Sequence, residues 1–292
     1  MKPLNVLSLF DGISCGRLAL KQARIPVKNY YASEINHRAV RVAMRNHGDI
    51  IQMGDVVTVM KQDFREPIDM IIAGSPCQGF SSSGEKLNFD DHRSVLFFEF
   101  VRLLRELKPK YFLLENVRMP KEHLDIISHY VGVDPIFVDS ITHSAARRQR
   151  YYWTNICTTL PQLVVDVSLD DILEEGILYH PYKKKDATNK AALVGNGEKL
   201  QCLTKNFHNG NRCMMTDGKG KFRNPTTLEG ERAMGLPDNY TAGIEETHRW
   251  FVIGDAWNVT TITHFFKQLH PKGRHFYGKK HLETSDETVR DI

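Results

Sequence analysis

The sequence predicts an α/β protein, and three observations predict it. From Asn5 onward, short apolar runs end in Gly or Asp turns and lead into stretches with helical spacing, a strand, loop and helix repeat that builds parallel βαβ units. The helical stretches carry apolar residues three and four apart, as the cover helices of a sheet do. At 292 residues, 41% hydrophobic and 25% charged, the chain can bury a full core arranged as one large domain plus a smaller lobe.

Taken in order, strands are expected at Asn5 to Phe10, Lys28 to Ser33, Ile68 to Ala73, Tyr111 to Glu115, Ile136 to Val138 and Tyr151 to Thr154. Helices are expected at Arg17 to Gln22, His37 to His47, Ser94 to Leu107 and Lys121 to Tyr130. The alternation fades after about residue 158, where KKKDATNK, VGNGEK and DGKGK bring Gly, Asn and Lys forward without periodicity. A different lobe is expected over 159–244. Apolar residues return over 245–272, among them Trp250, Ile253, Ile262 and Phe265, which completes the first domain of residues 1–158. Residues 273–292 read as a charged tail.

Composition excludes several classes. No apolar run approaches bilayer length, and Asp11 and Gly12 interrupt the N-terminal run too early for a signal peptide, so no membrane partner and a cytosolic location are expected. Five cysteines form no CxxC pair, so neither a metal site nor a disulfide framework is expected. The net charge of +4 is unremarkable, but its distribution is not. Residues 183–223 hold ten Lys or Arg against three Asp or Glu, a local balance of +7 that leaves the rest of the chain at −3. A lobe facing a polyanion explains that clustering better than scattered solvated lysines do.

Phe10, Asp11, Gly12, Ile13, Ser14, Cys15 and Gly16 form a glycine-bearing turn after the first strand, where α/β sheets bind ligands. Glu34 ends the second strand, where a carboxylate can accept both hydroxyls of a ribose, and Asp55 in GDV can accept from an adenine amine. The expected strand at Ile68 to Ala73 runs into Gly74-Ser75-Pro76-Cys77-Gln78-Gly79-Phe80-Ser81, which sets a cysteine on a rigid turn at the same rim. A thiolate delivered there is a nucleophile, and the flanking Pro, Gln, Gly and Ser extend no apolar surface for it to pack into. Glu115 ends the neighbouring strand and can supply a proton. In the run ending RRQRYYW, alternation points Arg148 and Arg150 the same way, towards phosphates or a reacting base.

The segments FDGISCG, GSPCQGFS, ENV and RRQRYYW, in that order, resemble the cytosine-5 DNA methyltransferase family, and FRNPTTLEGERAMGLPDNY and GDAWNVTTI extend the match across nearly the whole chain. Within it, VLSLFDGI, YYASEI, LFFEF and SAARRQRYYW look most like the animal de novo enzymes and their bacterial and phage relatives. The resemblance implies a Rossmann-like AdoMet-dependent methyltransferase sheet with a small, mostly irregular or β target-recognition lobe. It implies that Cys77 attacks carbon 6 of cytosine, that Glu115 contacts the ring nitrogen and amine, and that Arg148 and Arg150 support the base. It implies S-adenosyl-L-methionine as cofactor, with S-adenosyl-L-homocysteine as product and no metal. That cofactor would lie over residues 10–16 with Glu34 on the ribose, Asp55 on adenine, and Ile35, Val56, Leu96, Ala256 and Trp257 adding contact. Double-stranded DNA is the implied partner, with the base flipped out of the stack and the loop from Gln78 to Asp91, including Ser81 and Ser83, closing over it. Lys205, Asn206, Asn209, Asn211 and Arg212 are the first candidates for groove contacts.

Two positions depart from most bacterial members, which carry glutamine at Ala146 and asparagine at Asp255. A transfer-RNA cytosine methyltransferase shares nearly all these motifs, and a non-catalytic DNA-binding homologue is the alternative from another class. Target context and oligomeric state are open.

Overall fold

A computed structural model describes residues 1–75, 92–181, 192–195, 197–205, 213–219 and 221–269. Its larger sheet has the strands β1 (Leu4–Leu9), β2 (Val27–Ser33), β3 (Ile50–Gln52), β4 (Met70–Gly74), β5 (Tyr111–Val117), β6 (Ile136–Asp139) and β7 (Gln149–Thr154). Their order across the sheet is β3-β2-β1-β4-β5-β7-β6. The five strands β3 to β5 in that row are mutually parallel, while β7 runs antiparallel to both of its neighbours. The expectation of parallel units therefore fails at β7. Only the 140–148 connection separates it from β6, too little chain for a helical crossover, so the strand returns as a hairpin does. β3 was not expected, because three residues are too few to display a period.

Helices α1 (Cys15–Gln22), α2 (His37–Asn46), α3 (His92–Leu107) and α4 (Lys121–Val131) fall where helical spacing placed them. Alternate residues of each central strand feed opposite faces of the sheet. Met70 and Ile72 join one core with α1 and α2, whereas Ile71 and Ala73 join the other with Phe97 and Phe100 of α3. Every residue of β1 is buried, the polar Asn5 and Ser8 included, as in a strand covered on both faces.

The second sheet joins β8 (His180–Pro181), β9 (Ala192–Val194), β10 (Cys213–Thr216) and β11 (Lys221–Arg223) in the order β8-β11-β10-β9. Arg223 ties it to α5 (Thr227–Ala233) through a buried two-bond pair with Glu229, at 2.8 and 2.6 Å. Leu169, Ile172, Leu200, Leu203 and Met215 share one apolar cluster with α1 and with α7 (Val259–Lys267), so no separate core lies under this sheet among the described residues. Between α5 and α7 runs α6 (Glu246–Asp255), whose Trp250 lies so close to Gly230 that a Cβ there would stand 2.7 Å from the indole. Among the described residues no helix is long and apolar enough to cross a membrane. The 273–292 tail lies outside the described residues.

Candidate active site

The turn after β1 is built from unusual backbone. Phe10, Gly12 and Ser14 have φ of 55°, 58° and 60°, and only the glycine adopts such values without strain. Side chains hold the turn in place. Asp11 accepts from Tyr30 Oη at 2.7 Å and from Ser14 Oγ. Burial pushes the Asp11 carboxyl up to about 6, against these hydrogen bonds, which favour its charged form. Gly12 N donates to Glu34 Oε2 at 2.8 Å, while Ile35 N and Asn36 N donate to Oε1 at 3.0 and 2.8 Å. Three of roughly four acceptor sites on Glu34 are thus taken by amides, so a ribose seated there shares an oxygen with backbone.

One strand along, β4 ends with Gly74 in register with Glu115 of β5. Glu115 is buried, with Oε1 2.7 Å from Arg150 Nε and Oε2 accepting from Trp257 Nε1 at 3.2 Å. The Arg150 guanidinium is held above its ordinary range: burial alone would lower it, but the Glu115 carboxylate outweighs that. Gly74 leaves room for the indole, since a Cβ there would stand 2.7 Å from Trp257 Nε1. Asn116 Nδ2 donates to Ser75 Oγ at 3.1 Å, which fixes the last described residue after β4. Cys77, Gln78, Ser81, Ser83, Asn206, Asn209, Asn211 and Arg212 lie outside the described residues, as does the loop from Gln78 to Asp91.

These parts meet in a cavity of about 390 Å³. Phe10, Asp11, Gly12, Ile13, Cys15, Glu34, Ile35, Asp55, Val56, Leu96, Ala256 and Trp257 line it, as expected for cofactor contacts. Glu115, Arg148 and Arg150 line it as well. Ser14 and Gly16 do not. Ser14 is buried and serves Asp11, and Gly16 closes the packing beneath, where a Cβ would stand 2.4 Å from Ile72 Cδ1. Lys205, expected at a groove, stands in the cavity wall with its ammonium 5.7 Å from the Phe251 ring centre. Arg148, expected on the base, donates instead to the Leu203 and Gly254 carbonyls at 3.3 and 3.2 Å. Sequence reasoning missed Ser75, Asn116 and Phe251 as wall residues; Asn116, in ENV beside Glu115, was the one within reach of it. The Asp255 carboxyl also lines the cavity, and burial raises its pKa against the pull of Lys205 and Arg148.

The cavity suits a nucleoside-bearing ligand. Its size is within the range of small-molecule sites, Gly12 offers bare backbone with nothing within 4 Å of where a Cβ would stand, and Ile35 presents a side chain 75% exposed. Among the described residues no group of His, Cys, Asp and Glu could hold a metal ion. The crevice lies at the carboxyl rim of the parallel strands, in a sheet whose strand β7 is reversed. Solved structures agree on the fold. A Spodoptera frugiperda DNMT2 variant superposes with a TM-score of 0.75 at 20% identity over 90% of this chain and 98% of that one. The Entamoeba histolytica methyltransferase EhMeth gives 0.77 at 19% identity, over 92% and 98%.

Residues 4–126 match the family of C-5 cytosine-specific DNA methylases. The type II methyltransferase M.NlaX of Neisseria lactamica is 28% identical over 91% of this chain and 96% of its own length. M1.ScrFI of Lactococcus lactis subsp. cremoris is 27% identical over 88% and 76%. The orphan methyltransferase M.SPRI of Bacillus phage SPR is 38% identical over 40% of this chain and 27% of its own.

Proposed function

We propose that this protein is a DNA (cytosine-5-)-methyltransferase that acts on a cytosine flipped out of duplex DNA through a covalent adduct with Cys77. The observation that carries the reading is the buried Glu115, gripped by Arg150 and Trp257 at the strand end beside Gly74, three residues before Cys77. Unactivated cytosine is a poor carbon nucleophile. Addition of the Cys77 thiolate to carbon 6 breaks aromaticity and sends the electron pair toward carbon 5, while Glu115 stabilises the ring nitrogen as charge develops there. When bound, AdoMet supplies a methyl group from its sulfonium to carbon 5. Loss of the carbon-5 proton then expels the thiolate and restores Cys77. Arg150 keeps Glu115 oriented throughout, and Glu34, Asp55 and the 10–13 backbone hold the nucleoside.

The sheet of β8 to β11 and the basic stretch around it serve as the target-recognition lobe within 159–244, with Gln78, Ser81, Ser83, Asn209 and Arg212 as DNA contacts. A cytosolic setting in a bacterial or phage-infected cell goes with this activity. The direct test incubates the protein and its Cys77→Ala variant with methyl-labelled AdoMet and separate pools of duplex DNA and transfer RNA. Label is expected in DNA with the unaltered protein and nowhere with the variant, which still binds S-adenosylhomocysteine. Undiminished transfer by Cys77→Ala, or label confined to RNA, refutes the proposal.

A further inference from the structure

Arg148 is buried, yet among the described residues its guanidinium meets no carboxylate at hydrogen-bonding distance. It donates to three backbone carbonyls instead: Leu203 at 3.3 Å, Gly254 at 3.2 Å and, more distantly, Asp255 at 3.5 Å. The three belong to two separate stretches of chain. Leu203 lies in the irregular segment that follows the isolated Ala146–Leu200 bridge, and Gly254 and Asp255 end α6 just before Trp257. The same two stretches touch directly. A Cβ on Gly254 would stand 2.2 Å from both Thr204 C and Lys205 N, so the 204–205 backbone lies flat on the glycine, and Lys205 spans Phe251 of α6. On the cavity side, Trp257 reaches Glu115, and Arg148 itself sits two residues from Arg150.

We infer that Arg148 is a positioning residue that clamps the entry to the recognition segment onto the cofactor wall, so that filling the cofactor cavity orders residues 197–205. The inference rests on the reading that this cavity holds AdoMet. Its physical basis is the donor geometry: a planar guanidinium can serve several carbonyls at once, whereas an ammonium is a point charge that cannot span them. Coupling of this kind is a free energy shared between two sites, and it disappears when the shared contact is cut.

Hydrogen exchange with S-adenosylhomocysteine as the probe tests it without reference to turnover. In the unaltered protein, saturating ligand is expected to slow exchange over residues 10–16 and 33–36 and, by about fivefold or more, over 197–205 as well. In Arg148→Lys the first two segments keep their protection and the third loses it. Gly254→Ala cuts the junction from the other side and is expected to do the same, and it carries the test if the arginine variant does not fold. A merely structural role would speed exchange in the free and liganded states alike and leave their ratio intact; that result, or full transmission in either folded variant, overturns the inference. Ligand protection at 10–16 without any at 197–205 in the unaltered protein overturns it too, and leaves the cofactor reading standing. No protection anywhere overturns both.

Discussion

Glu115 accepts from two donors, Arg150 Nε and Trp257 Nε1, and that arrangement dictates what a substitution does. Glutamine offers one oxygen and one amino group, so in Glu115→Gln a donor must face a donor, and the buried Arg150 charge loses its counterion. Single-turnover methyl transfer is expected to fall by roughly 10²- to 10⁴-fold, with S-adenosylhomocysteine affinity near that of the unaltered protein; a variant with full activity would remove Glu115 from the chemistry. Gly74→Ala reaches the same pair indirectly, because its Cβ displaces the indole and breaks the Trp257 bond. The expected signature is a changed Trp257 environment in tryptophan fluorescence together with slower transfer. Residue type and strand-end position were enough to single out Glu115 in the sequence, because a carboxylate at that rim has a chemical use. They were not enough for Arg148. Alternation correctly aimed both arginines into the cavity, but the partners of Arg148 lie 55 and 106 residues away and leave no local mark.

Among the elements, the helices that frame the cavity depend on their first turns. Asn36 caps α2 by accepting from Arg38 N at 3.0 Å and Ala39 N at 3.4 Å, and it also stands in the cavity wall. Asn36→Ala is expected to destabilise the protein by about 1 kcal/mol in urea unfolding and to weaken S-adenosylhomocysteine binding; an unchanged midpoint would show that the cap is replaceable. α1 enters the core through Gly16, where a Cβ would stand 2.4 Å from Ile72 Cδ1 and 3.0 Å from Tyr30 Oη. Gly16→Ala therefore overpacks the sheet, at a cost of about 1–3 kcal/mol measured the same way. The six expected strands and four expected helices were legible because their apolar spacings are local. The direction of β7 was not, since antiparallel and parallel strands share the same two-residue period and only the length of the connection separates them.

For the molecule as a whole, three buried groups with large shifts contribute to how stability responds to acid. Burial holds His47 and His143 down to about 4 from an ordinary value of 6.5, so below neutrality the unfolded chain binds two protons that the native state refuses. That contribution is present above 6.5 and is lost as pH falls. Asp11 acts in the opposite sense: its folded value near 6 exceeds the ordinary 3.8, so below about 6 the native state holds a proton that the unfolded chain releases. Between about pH 6 and 5 the three leave a net difference of one proton, and unfolding free energy is expected to fall by about 1.4 kcal/mol per pH unit on their account. In Asp11→Asn the opposing proton is gone, and the slope is expected to double. A variant whose urea midpoints track those of the unaltered protein across that range would show that Asp11 does not take up the proton.

At this scale, too, the division between chain and fold is plain. The sequence alone determined the α/β alternation, the glycine turn, the order of the Cys77 and Glu115 segments and the clustering of positive charge, because each is a matter of residue type and near-neighbour spacing. Tertiary structure alone decided that Ser14 holds Asp11, that Gly16 serves packing, that Lys205 faces Phe251 in the cavity wall, and that Arg148 joins two distant stretches of backbone. Those outcomes depend on which groups meet across long sequence separations, and a buried donor takes whatever acceptor the packing brings within reach.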